Sequence, residues 1–185
     1  MKKNILIGCC LLFIIIFQAT GWAASSSGVS ISGAVRQPIR FTLEDLTKFQ
    51  SIDVRLNEVD RGKNFQGAFN YRGVPLRSLL ELANIHKEED SFFKFLDVAI
   101  VIRNKVGKQV VLSWGEIFYR NPAGIIIAFS ASPVMPQQEA GRGKWQNTLN
   151  RPIGFPKLVV ANDFSIDRCM EEITSIEVVA LAPKL

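Results

Sequence analysis

The chain holds one histidine, His86, and three cysteines, of which Cys9 and Cys10 lie in its opening segment. That scarcity excludes a good deal. A zinc site built on His and Cys ligands is out of reach. A Ser/His/Asp triad cannot be assembled with one histidine and no nucleophile motif, and no Gly-rich phosphate loop is present. No apolar run approaches the ~20 residues that a bilayer-spanning helix needs. The basic residues are not gathered into a stripe, so a nucleic-acid groove is not expected. There is no internal repeat.

What is present begins with an address. Lys2 and Lys3 precede an uncharged apolar run, Ile5 to Phe17, thirteen residues long. Gly21 and Ala23 fit the −3 and −1 positions of a signal-peptidase site, so residues 1–23 are expected to be a cleaved signal peptide. Two other readings of the segment remain: a permanent membrane anchor, and a lipobox at Leu6-Ile7-Gly8-Cys9. The run is short for the first. Most of it follows Cys9, which is the wrong order for the second. Cleavage lowers the net charge from +5 to +3 and leaves Cys169 as the one cysteine, so no intramolecular disulfide can form. Burial is the usual fate of such a thiol. The expected product is exported, to the periplasm or the outside, with no stable membrane span after processing. It consists of a flexible lead-in, residues 24–28, and one domain, residues 29–182, long enough to bury a core.

Strand patterns dominate that domain. Val29 to Val35 reads as a strand ending near Gln37-Pro38. Thr42 with Asp45 forms a weak capping box ahead of Leu43, Leu46 and Phe49. Ile52, Val54 and Leu56 alternate with polar residues, which predicts a half-buried strand. Glu58 to Gln66 is polar and reads as a turn or loop, and Ala68 to Arg72 as the next strand. After Gly73-Val74-Pro75, the residues Leu76, Leu79, Leu80 and Ala83 make one helical stripe. Asp97 to Ile102 and Gln109 to Leu112 predict a hairpin. Ser113 and Glu116 predict a second capped helix through Trp114, Ile117 and Phe118, whose spacing suits a core. Gly124 to Phe129 reads as a buried strand. Ser130 to Pro156 has no periodicity, and a loop that long inside a domain usually serves a function or lacks order. Strands follow at Lys157 to Ala161 and Thr174 to Leu181, with a turn or short helix between. Few helices among many strands predict an α+β fold with mixed or antiparallel sheets and short peripheral helices.

Five stretches, in order, resemble the molybdopterin-binding domain of the sulfite oxidase family. They are Gly33 with Thr42-Leu43-Glu44-Asp45-Leu46; Tyr71-Arg72-Gly73-Val74-Pro75-Leu76 with Leu79-Leu80; Val110 to Ser113 with Ile125 to Phe129; Gly154-Phe155-Pro156-Lys157-Leu158-Val159-Val160; and Ile173 to Val178. The resemblance implies a sulfite-oxidase-like fold that binds molybdopterin across loops at one end. It also implies a cysteine thiolate on molybdenum, just after the strand before Gly73-Val74-Pro75-Leu76. Here that region reads Val54-Arg55-Leu56-Asn57-Glu58-Val59-Asp60, and threading puts Glu58 or its neighbour in the cysteine's place. A carboxylate is a harder ligand than a thiolate, so this departure changes the chemistry.

The candidate binding residues are Arg61, Lys63, Arg142, Lys144, Trp145 and Arg151, with Glu58 at the expected ligand position. Guanidinium groups suit phosphate, and an indole can stack on a flat ring. The ordinary reading of the same residues is a solvated loop pinned by Trp145. No catalytic residue and no metal ligand is assigned, and His86 is expected at the surface near a helix end. Two functions follow. The preferred one is a non-redox module binding a small anionic ligand or a protein partner. The other is a molybdopterin-dependent oxidoreductase domain with atypical ligation, its cofactor supported by resemblance alone.

Overall fold

A computed structural model of the chain describes residues 28–85, 98–120, 122–134 and 151–181. The expected signal peptide, its Cys9, His86, Arg142, Lys144 and Trp145 lie outside these residues. The described chain forms nine strands: β1 (Gly28–Gly33), β2 (Ile39–Thr42), β3 (Ile52–Asp60), β4 (Asn64–Pro75), β5 (Val98–Asn104), β6 (Gln109–Ser113), β7 (Ile125–Pro133), β8 (Lys157–Val160) and β9 (Ile173–Ala180). Two short helices connect them, α1 (Leu43–Thr47) and α2 (Leu76–Leu82).

The strands make two sheets, one ordered β2-β1-β9-β5-β6 and the other β3-β4-β7-β8. Every pairing is antiparallel except β1 with β9, which is parallel. The larger core gathers Leu76, Leu79, Leu80 and Ala83 of the α2 stripe with Ile100, Ile102 and Ile176 of the five-stranded sheet. All four stripe residues have no exposed surface.

Where β7 meets β8, the four-stranded sheet is covered on both faces. Successive strand residues point to opposite sides. Ile125 and Ile127 of β7 and Leu158 and Val160 of β8 therefore join the larger core. Ile126, Ala128 and Val159 join a second, smaller one with Leu56, Phe69, Tyr71 and Cys169. Double burial explains why β7 is apolar at every position from Ile125 to Phe129 rather than every other one.

Local chemistry accounts for several joints. Thr42 Oγ1 accepts from the Asp45 amide while Asp45 Oδ2 accepts from the Thr42 amide, a reciprocal cap on α1. The Thr42 hydroxyl, donating to Asp45 Oδ2 at 2.7 Å, together with the Thr42 amide and the Lys48 ammonium, holds the Asp45 carboxyl down to about 2. Ser113 and Glu116 repeat the exchange. Gly73 sits at a bulge between β4 and β7, where an added Cβ would come 2.4 Å from the Ile127 carbonyl oxygen. Only glycine fits there.

Four expectations need correction. The polar stretch Glu58–Gln66 is mostly strand: β3 runs to Asp60 and β4 starts at Asn64, leaving a tight turn at Arg61, Gly62 and Lys63. Cross-strand pairing, which residue type alone does not report, extends both arms. The strand before α2 does not break at Gly73 but bulges and continues to Pro75. β7 reaches Pro133 because β4 is long enough to pair with it there, which takes four residues out of the expected loop. The segment after Ser113 ends in a wide π-type turn, Glu116–Arg120, and Pro122 opens a further 3₁₀ turn.

Candidate functional site

The second core is closed at one end by charges. Along β3 the inward positions run Ile52, Val54, Leu56, Glu58, so the alternation carries a carboxylate into the interior. β4 presents Phe69 and Tyr71 to the same side, and β8 presents Lys157 in phase with Val159. Glu58 has no exposed surface and Lys157 has 3%.

Their bonds are dense. Glu58 Oε1 accepts from Tyr71 OH at 2.5 Å and from Lys157 Nζ at 2.6 Å, and Oε2 accepts from Arg151 Nη2 at 2.7 Å. Lys157 Nζ also donates to Tyr71 OH at 2.7 Å and to Glu171 Oε1 at 3.3 Å, which uses all three of its hydrogens. Arg151 Nη1 donates to Glu171 Oε1 at 2.8 Å, and the Gly154 amide donates to Glu171 Oε2 at 3.0 Å. Two carboxylates meet two cations, so the cluster carries no net charge. No buried side-chain polar atom among the described residues lacks a partner.

Burial works against charge on Glu58, but the Lys157 ammonium, with Tyr71 and Arg151, outweighs it and holds the carboxyl below its ordinary value. Glu171 follows the same pattern, with the Gly154 amide and Arg151 outweighing burial. Burial first, and Glu58 second, push the Tyr71 hydroxyl far up, so it stays a donor. Cys169 is buried beside this core, and burial raises its thiol.

The sequence-predicted residues divide. Glu58 and Arg151 come together directly, which joins the hairpin region to the end of the long loop. Arg151 faces two carboxylates of its own chain. Arg61 and Lys63 are exposed at the β3–β4 turn, where Arg61 has a positive φ of 48°. Trp114 is core, stacked on Phe118 with centroids 3.8 Å apart. Tyr71, Lys157 and Glu171 were not singled out from sequence. The available signal was phase: Tyr71 lies two residues from Phe69, and Lys157 heads an apolar run two residues from Val159.

Two clefts flank α2, one of about 280 Å³ beside Arg77, Trp114 and Phe118, the other of about 550 Å³ beside Phe49, Ile52 and Leu82. Neither is lined by a member of the Glu58 cluster. Among the described residues no group of three or more His, Cys, Asp or Glu side chains is arranged to hold a metal ion.

No protein-family model and no curated protein matches the sequence. Among solved structures, the sulfane dehydrogenase SoxCD of Paracoccus pantotrophus is similar to this chain, with a TM-score of 0.58 at 17% identity. The match covers 82% of this chain and 38% of that one, so the chain spans well under two thirds of its neighbour's length. At that identity the likeness speaks for the fold. The chain has an α+β, sulfite-oxidase-like fold, the one its five motifs imply.

Proposed function

We propose that this chain is an exported, non-redox binding module that keeps a sulfite-oxidase-like fold and uses its loop end to hold a small anionic ligand or a protein partner. One observation carries the reading. Glu58, which the resemblance puts where a metal-binding cysteine would stand, has both oxygens engaged by three donors of its own fold. Turning that carboxylate toward a metal would leave Lys157 buried without its main counter-charge, a costly arrangement. The residues present therefore do not fit molybdenum held in the manner the resemblance implies, and no redox step is assigned to them.

The likeness to a sulfane dehydrogenase favours a second reading, a molybdopterin-dependent oxidoreductase domain with atypical ligation. Metal and pterin analysis of protein purified from its native compartment separates the two. The binding module should carry neither, whereas one molybdenum per chain would establish the oxidoreductase. For a small-anion site, a pterin phosphate titration followed by Trp145 fluorescence, with Trp145→Phe as control, tests Arg142, Lys144 and Trp145. Binding that weakens with salt and on Arg142→Ala supports that site. No binding at millimolar pterin phosphate leaves the protein partner.

A further inference from the structure

The loop between β8 and β9 carries a phenylalanine that neither core uses. Phe164 is 82% exposed. A lone exposed apolar side chain is ordinary, but this one is held from both sides. Asp163 before it accepts from the Arg168 guanidinium at 2.7 and 2.6 Å, and Arg168 in turn pairs with Glu116 at 2.6 Å. Ser165 after it donates its hydroxyl to the Val59 carbonyl at 3.1 Å.

The ring itself lies against the β3–β4 turn. Gly62 has a φ of +65°, and a Cβ built there would stand 3.2 Å from Phe164 Cε1. Arg61 and Lys63 flank Gly62, both exposed, and Phe65, 43% exposed, follows on β4. The apex is thus an exposed aromatic ring on a tied loop, with two cations on the turn beside it and Asp60 at its edge.

We propose that this apex is the docking surface for a protein partner, one whose apolar socket receives the Phe164 ring and whose acidic rim faces Arg61 and Lys63. The proposal rests on the binding-module reading and names the surface that reading uses. A loop already tied at Asp163 and Ser165 loses little freedom on docking, which favours a shaped socket. An aromatic centre with arginine near it is also the usual make-up of an interface hot spot. An anionic bilayer would be better served by charge of one sign, yet Asp60 stands next to Arg61.

The test uses the full chain in its native host, with the photo-reactive p-benzoylphenylalanine in place of Phe164. The cross-linked protein is identified, purified and titrated against the unmodified chain. An acidic partner whose affinity falls at least ~tenfold on Phe164→Ala supports the proposal, that being a hot-spot effect. The Arg61→Glu/Lys63→Glu pair should also weaken binding and flatten its salt dependence. Val106→Ala, in the β5–β6 turn and 80% exposed, should change nothing. Absence of an adduct, or an affinity indifferent to Phe164→Ala, overturns it. So does sedimentation with phosphatidylglycerol vesicles that Phe164→Ala abolishes, which would give the apex to lipid. A dimer dissociated by the same substitution would give it to a second copy. Molybdenum in the purified chain would overturn the binding-module reading without touching these titrations. A failed docking test on molybdenum-free protein would remove only this apex.

Discussion

Glu58 and Lys157 each leave water to enter the second core, and each gives up hydration worth several kcal/mol. Their contact returns that only while both are present. Either Glu58→Ala or Lys157→Ala should destabilise the fold by about 3–5 kcal/mol, read from urea unfolding, since the four-charge cluster is left with one charge out of balance and loses its closest ion pair. Glu58→Leu with Lys157→Met should cost less than the sum of the two single losses. Acidity tests the same group. The Glu58 carboxyl lies below its ordinary 4.5 in the folded chain. Its stabilisation is therefore complete above that value and is lost as pH falls through the folded value. Glu171 titrates in the same direction. Urea midpoints should drop steeply below pH 4.5, and less steeply in Glu58→Gln. The sequence pointed to Glu58 by resemblance and to Arg151 by charge. Their partners were hidden because the bonds are long-range: 99 residues separate Glu58 from Lys157 and 93 separate it from Arg151. No local pattern spans such a gap.

Among the elements, those that depend on neighbours in sequence were legible. The α2 stripe is buried as its spacing requires, and both capping boxes close. Leu79→Ala should cost about 2–5 kcal/mol in a denaturant melt, because Leu79 is fully buried. A loss under ~0.5 kcal/mol would mean that the stripe does not face the core. Gly73→Ala should cost at least ~1–3 kcal/mol, the usual effect of overpacking, because its methyl group meets backbone rather than a movable side chain. The misplaced boundaries share a cause. The ends of β3, β4 and β7 are set by the partner strand opposite, as at Phe69 and Pro133, and a polar residue on a paired strand looks like a loop residue.

For the molecule as a whole, export remains a proposal that a mass measurement can check: the mature chain should begin at Ala24, and a diacylated Cys9 at its start would overturn this. The topology adds a consequence of its own. β9, the last strand, is not at an edge of the five-stranded sheet but between β1 and β5. Ser30 is bonded to Thr174, 144 residues away. Until residues 173–180 arrive, no other described strand joins the β1–β2 and β5–β6 hairpins, and a two-stranded hairpin alone is marginal in water. A chain truncated before Ile173 should show no cooperative melt. Such an order acts as a timer. The five-stranded sheet can close only once β9 is there to sit between its two hairpins.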